Sequence, residues 1–307
     1  MSEGHIPVLL QETLRLLSPA PGEVFLDGTA GAGGHAEEIA RRIGPGGILV
    51  CADADPGMLA VASERLHAFP GVRLVHADYA DFPRIRDAAG GRPFDGMLLD
   101  LGISSLQLSD PSRGFSFRED GPLDMRRDPG DTVPAARDLL RRATEKELAD
   151  IFHRFGEERF SRRIAGAIVE CRRRDPIERT SQLAELVKRA IPRKAWPRDI
   201  HPATRVFQAL RIAVNRELES LSAFLDGFAQ HLAKGGRVAV ISFHSLEDRL
   251  VKAAFRARST GEKAVLTVMT RKPVVPGADE IRENPRARSA KLRAARLDEQ
   301  EESECKG

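Results

Sequence analysis

Four apolar runs of strand length recur down the first hundred residues: EVFLD at 23–27, GILVCAD at 47–53, VRLVHA at 72–77 and FDGMLLD at 94–100. Helical patterns near 34–43, 56–68 and 81–88 separate them, and an amphipathic stretch, VLLQETLRLL at 8–17, precedes the first. Strands that alternate with helices in this way bury both sheet faces by running parallel, with the connecting helices packed on either side. The expected class is therefore α/β, with a Rossmann-like sheet.

From Leu101 the alternation stops. A loop rich in Gly, Ser, Asp and Pro runs to about Pro134, followed by helical patterns at about 135–155, 157–174 and 180–190 and a long one from Ala203 to Leu232, which Lys234, Gly235 and Gly236 terminate. RVAVISF at 237–243 restores the strand pattern, a helix follows at about 245–257, and AVLTVMT at 264–270 reads as another strand. The arrangement is one sheet domain, 1–108 with 215–307, interrupted after its fourth strand by a mostly helical insert, 109–214. RARSAKLRAARL near the end reads as a basic edge strand or a solvated helix, and the acidic tail DEQEESECKG reads as disordered.

Charge is distributed unevenly. The whole chain carries +3, yet residues 109–214 hold 23 basic and 17 acidic side chains, so the excess lies in the insert. Most of its cations are arginines, which grip phosphate bidentately. Cys51, Cys171 and Cys305 are too few and too scattered for a disulfide framework or a zinc site and read as free thiols. No apolar stretch reaches membrane-spanning length, and the polar start MSEGHIP lacks the features of a secretory signal, so the cytoplasm is the expected compartment.

The first strand runs directly into glycines, in FLDGTAGAGGHAEEI at 25–39. Gly28, Gly31, Gly33 and Gly34 at a strand-to-helix junction imply left-handed backbone or a ligand lying against bare main chain. The spacing G-x-x-G-x-G-G departs from the G-x-G-x-x-G of dinucleotide sites, which disfavours a nicotinamide dehydrogenase. With Asp27 immediately before the glycines, the loop resembles that of S-adenosylmethionine methyltransferases. Asp53 closes the second strand, where a carboxylate can accept from both ribose hydroxyls, whereas Asp55 before Pro56 reads as a helix cap. Asp78 and Tyr79 end the third strand at the height of an adenine ring; a helix cap and a core aromatic are the competing readings. His35 opens the next helix, either as a donor to the cofactor's carboxylate or as a polar first-turn residue.

The fourth strand continues into LLDLGISSLQL, RGFSF and GPLDMR, and here the chain resembles a known family. GHIPVLLQE, DGTAGAGGH, GEERFSRRIAGAIVE, HPATRVFQALRIAVNREL, ISFHSLEDRLVK and NPRARSAKLR extend the likeness over nearly the whole length. It is to the bacterial small-subunit ribosomal RNA cytosine-N4 methyltransferases, the MraW or methyltransferase H family. The resemblance implies a class I methyltransferase sheet, S-adenosylmethionine as cofactor, an insert that recognises RNA, and methylation of the exocyclic amine of a cytidine in the decoding region of 16S rRNA within the small subunit. Carried over by position, it assigns the cofactor to Gly33, Gly34, His35, Asp53, Tyr79, Asp100 and Gln107. Tyr79 stands where relatives carry phenylalanine, and the segment after Thr270 is shorter than in some of them.

Transfer to a delocalised amine needs a group that accepts its proton, and Asp100 at the end of strand four is the catalytic candidate; holding the cofactor's amino group is its alternative role. The chain reads Asp100-Leu101-Gly102-Ile103-Ser104 where amino-methyltransferases in general carry Asp-Pro-Pro-aromatic. On the substrate side stand Ser104, Phe115, Trp196 and His244. Phe115 and Phe117 would stack on a flipped base or belong to the core. Trp196 lies among Lys188, Arg189, Arg193, Lys194 and Arg198, either a phosphate-binding surface or a solvated helix end, and Ser245 beside His244 is a helix-cap candidate. His201 reads as structural. A small-molecule methyltransferase and a non-catalytic ribosome assembly factor are the alternative functions, and a homodimer is left open.

Overall fold

A computed structural model describes residues 7–261 and 264–299; residues 1–6 and the tail from residue 300, with Cys305, lie outside it. Seven strands form one sheet: β1 (Val24–Asp27), β2 (Ile48–Asp53), β3 (Val72–His76), β4 (Phe94–Asp100), β5 (Leu232–Ser242), β6 (Leu266–Val268) and β7 (Lys291–Leu297). Their order is β3-β2-β1-β4-β5-β7-β6. The first five run parallel, and β7 lies antiparallel to both its neighbours.

The apolar runs are continuous because both faces are covered. Val24, Leu26, Val50, Met97 and Leu99 enter one core, while Phe25, Leu49, Cys51 and Leu98, the alternate residues, enter the other. The second face is covered by α1 (Leu10–Leu17), α2 (Gly34–Ile43) and α3 (Pro56–Leu66). The first is covered by α4 (Phe82–Ala88), α11 (Glu217–Gly227) and α12 (Ser245–Arg258). The carboxyl ends of β1, β2, β4 and β5 therefore share one edge, where parallel sheets place their ligands.

By its contacts the chain divides into two compact units, Met1–Gly102 with Glu219–Gly307, and Ile103–Leu218. The sequence reading put these limits at 108/109 and 214/215. The second unit is helical: α5 (Ser105–Ser109), α6 (Ala136–Arg142), α7 (Glu145–Gly156), α8 (Ser161–Arg172), α9 (Thr180–Ala190) and α10 (Thr204–Asn215). Its core is built around Leu148, Phe152, Ile164, Leu183, Val206 and Leu210. The Gly- and Asp-rich loop before α6 is tied down: Asn215 donates to the Met125 carbonyl at 2.7 Å and accepts from Arg127 N at 2.8 Å. Asp124 pairs with both Arg126 and Arg137.

Three expectations from the sequence are corrected. The long helix of 203–232 is two helices, because Arg216 takes a left-handed φ of 50° and Glu217 turns to meet Arg211 at 2.9 Å. Lys234-Gly235-Gly236 stops no helix but bulges inside β5, where Leu232 pairs with Phe94 and Arg237 with Gly96. The basic segment near the end is a strand, though not at the edge, since β6 covers its outer side. Among the described residues no helix is long and apolar enough to cross a membrane.

Gly96 lets β4 pass against β1: a Cβ there would run into the Phe25 ring. Gly96→Ala is expected to lower unfolding free energy by about 1–3 kcal/mol through overpacking. Urea denaturation checks this, and an unchanged midpoint would show that the ring can move aside.

Candidate active site

The glycine turn after β1 is explained first by its own packing. Gly31 and Gly33 hold φ of 51° and 78°, which glycine adopts without penalty. At Gly28 a Cβ would lie 2.5 Å from Leu99 Cδ2, and at Gly34 it would lie 2.6 Å from Pro7 Cγ, so there it is the protein that comes close. The turn's amides are also engaged. Gly28 N donates to Leu98 O, Ala30 N to Ala52 O and Gly33 N to Ala30 O. Thr29 N reaches Asp27 Oδ1 at 3.1 Å and Gly31 N reaches Asp53 Oδ2 at 2.8 Å. These five amides are therefore not turned outward to cradle a phosphate.

Electrostatics agrees. Asp27, Asp53 and Asp100 end three neighbouring strands. Asp27 is 1% exposed, and burial, reinforced by the charge of Asp53, raises its pKa to about 7. Burial, with the charges of Asp27 and Glu247, holds the Asp100 carboxyl well above the usual carboxylate range. Its Oδ1 is buried with no hydrogen-bond partner among the described residues, and its own N–H donates to Thr29 Oγ1 at 2.6 Å. An edge of this kind repels anions and favours a cation. Asp53 is only half-buried; its Oδ1 accepts from Asp55 N at 2.9 Å while Oδ2 holds the glycine turn.

His35 is fixed at the start of α2 with 5% exposure. Its Nε2 lies 3.0 Å from the Val8 carbonyl oxygen, which can only accept, so Nε2 carries hydrogen. Nδ1 then lies 3.6 Å from Asp100 Oδ2. The sequence reading missed this Val8 contact because it is made by backbone. It missed Thr29 too, although that residue stands in the quoted loop.

The remaining candidates divide. Tyr79 is 3% exposed and sets its ring edgewise on Phe224 at 5.9 Å, in the core. Asp55 caps α3 through Gly57 N at 2.8 Å, as its place before Pro56 suggests. The cap of α12 is His244 and not Ser245: His244 Nδ1 accepts from Glu247 N at 3.4 Å, and Nε2 sits 3.1 Å from Glu247 Oε1. Buried Glu247 also accepts from Phe243 N at 2.8 Å.

Ser104, Gln107, Phe115 and Trp196 belong to the second unit. Ser104 and Gln107 form a reciprocal capping box on α5, with Ser104 N to Gln107 Oε1 at 2.8 Å and Gln107 N to Ser104 Oγ at 3.1 Å. Phe115, 6% exposed, lies in the helical core beneath Arg113, and half-buried Phe117 packs on Phe207 and His201. Trp196 donates Nε1–H to Ile191 O at 3.1 Å, with Lys188 and Arg193 each near its ring. His201 accepts from Ala203 N, a structural contact.

A parallel five-stranded core carrying an antiparallel β7 between β5 and β6, with a glycine turn after β1 and an acid ending β2, defines an S-adenosylmethionine-dependent, Rossmann-like methyltransferase. The chain belongs to the MraW methylase family, which matches residues 2–298. It is 49% identical over 305 residues to Ribosomal RNA small subunit methyltransferase H of Trichlorobacter lovleyi, covering 95% of this chain and 97% of that one. To the protein of the same name from Anaeromyxobacter dehalogenans it is 50% identical, covering 94% and 96%. A solved rRNA methylase of Streptococcus thermophilus aligns with a TM-score of 0.45 at 10% identity, covering 96% of this chain and 99% of that one.

Asp27 makes stability depend on pH. The folded carboxyl keeps its proton to about pH 7 and the unfolded one releases it near 3.8, so the native state binds more protons between those values and stability falls as pH rises. The loss from this group is up to about 4 kcal/mol above pH 7, at about 1.4 kcal/mol per unit. Asp27→Asn, which keeps an oxygen for Thr29 N, is expected to gain stability relative to wild type as pH goes from 5 to 7 in urea melts. Parallel curves would remove Asp27 as the titrating group.

Proposed function

We propose that this protein transfers a methyl group from S-adenosylmethionine to the exocyclic N4 of a cytidine in the decoding region of 16S rRNA, in the small ribosomal subunit and hence in the cytoplasm. The reading is carried by the Asp100 carboxyl, buried with an unpartnered oxygen at the carboxyl edge of a family member's sheet. The printed names of the relatives supply the ribosomal RNA small subunit, and the resemblance in sequence supplies the cytidine amine.

The residues present fit this cofactor. The acid edge suits its cationic ammonium and sulfonium, Asp53 presents a half-buried carboxylate to the ribose, and His35, Gly33 and Gly34 stand at the head of α2 for the methionine carboxylate. Tyr79 and Gln107 are retained as cofactor contacts on the strength of the resemblance. When bound, S-adenosylmethionine supplies a methyl group on a good leaving group, so orientation is the main task left to the protein.

The protein's chemical part lies with Asp100. Nucleophilic attack draws the N4 lone pair out of conjugation and leaves a proton to be removed; a carboxylate aimed at the amine serves both needs. Burial raises the Asp100 pKa in the free protein. A cationic cofactor held beside it would favour the ionised form, the form that can accept the amine proton. Ser104, Phe115, Trp196 and His244 remain the substrate-side residues of the proposal, with residues 109–214 as the RNA-recognition insert. Ser104 and His244 would act by holding the ends of α5 and α12 in place.

Methylation of small subunits lacking the modification, with labelled cofactor and nucleoside analysis after digestion, is expected to yield N4-methylated cytidine. A C5 product would contradict the proposal; the cysteine such chemistry uses is not supplied by Cys51, which is 0% exposed inside β2. Asp53→Ala is expected to weaken cofactor binding tenfold or more while RNA binding persists, since a charged hydrogen bond contributes about 1.5–3 kcal/mol. Calorimetry in buffers of differing ionisation enthalpy should detect proton release on cofactor binding, and affinity should drop as pH falls below the raised pKa of Asp100. Binding without proton release would place Asp100 outside the cofactor site.

A further inference from the structure

The chain between β6 and β7 was left unassigned by every reading above. Because β7 is antiparallel to β5, it begins at the carboxyl edge. Ser242, the last residue of β5, pairs with Lys291, the first of β7. β6 itself stops lower, Val268 pairing with Ala295 opposite Val238; residues 271–274 then flank β7 on the side away from β5, with Val274 beside Leu292, and the chain to residue 290 leads back to the carboxyl edge.

This segment is firmly anchored. Val274 exchanges both backbone hydrogen bonds with Leu292, at 2.9 Å each. Ala287 and Ala290, at 0% and 1% exposure, insert into the core beneath α1 and α2. Glu280, on the short helix α13 (Ala278–Glu283), accepts the N–H of Leu9 at 2.7 Å. Leu9 adjoins Val8, whose carbonyl holds His35 against Asp100. The segment is thus one residue removed from the support of the reactive carboxyl.

Its outward side is basic. Residues 271–291 hold six Lys and Arg against three acids. Of the acids, Glu280 is engaged in the anchor and Asp279 is paired with Arg282. Arg271, Lys272 and Arg288 are exposed and have no ion-pair partner among the described residues. The remaining acid, Glu283, is exposed. The three cations are mounted on a fixed frame in the unit whose proposed substrate is a polyanion, and a fixed frame lowers the ordering cost of each contact.

We propose that Arg271, Lys272 and Arg288 form a phosphate-binding surface on the methyltransferase unit itself, which grips the RNA backbone flanking the target nucleotide. It rests on the proposed RNA substrate and adds to it a second contact region, separate from the insert. The surface carries no base readout; it fixes the strand's position over the site.

The test is a triple variant, Arg271→Ser, Lys272→Ser and Arg288→Ser, in the full-length protein. RNA binding to a 16S rRNA fragment containing the decoding region is measured between 50 and 200 mM salt, with cofactor affinity and melting temperature as controls. Loss of three phosphate contacts should reduce the slope of log K against log salt by about 2, so that this rise in salt weakens wild type about tenfold more than the variant. The apparent KM for RNA should rise while cofactor affinity and melting temperature stay fixed. Replacing the same arginines by lysine should retain the slope. If wild type binds the fragment with a steep salt dependence and the triple variant matches it, the surface is not a contact. If wild type neither binds nor methylates it, the RNA reading fails first.

Discussion

The feature on which the rest depends is a set of carboxyl groups gathered at the ends of adjacent parallel strands. Asp27, Asp53 and Asp100 end β1, β2 and β4, and Glu247 stands in the first turn after β5. Burial first, and then the charge of each neighbour, raises the pKa of Asp27 and Asp100 above the range where carboxyls normally ionise. A fold that only needed stability would gain by replacing these groups with apolar ones. Their retention makes sense if a cationic ligand relieves the repulsion. That argument adds to glycine spacing in separating a sulfonium cofactor from a dinucleotide, because a pyrophosphate would meet negative charge at this edge.

Much of the sheet domain was legible because its signals are local. Apolar runs of strand length, Asp55 before Pro56 and acids closing strands each depend on a few adjacent residues, and the structure keeps β1 to β4 close to where the runs lie. What was not legible depends on distant partners. The break at Arg216 exists because Glu217 is drawn to Arg211 and, at 3.6 Å, to Arg127, a contact across ninety positions that helical periodicity does not register. The place of β7 between two strands was hidden by Lys291, Arg293 and Arg296; Arg293 is 7% exposed yet pairs with Asp248 at 2.6 Å, so a cation sits inside the sheet. A reading by hydropathy alone sends such a strand to the edge.

The site residues show the same division. Asp53 and Asp100 were visible as acids at strand ends, a position with few purely structural uses. His244 and Ser104 were visible as polar residues near the same edge, but the structure engages both in capping, which sequence cannot distinguish from ligand binding without the partner atoms. Phe115 illustrates the aromatic version: its sequence left base stacking and the core both open, and the ring is covered with the Arg113 guanidinium over it, Arg113 also donating to the carbonyls of Arg126 and Arg127.

His35 links these observations. Its orientation is set by a backbone carbonyl from the segment before α1, and that segment is in turn held by Glu280 from the chain between β6 and β7. Glu280, 271 residues from Leu9, thus steadies the stretch of backbone that orients the imidazole beside Asp100. In the proposed reaction that carboxyl is the proton acceptor: burial and the neighbouring acids oppose its ionisation, and a cationic cofactor would favour the form able to take the amine proton.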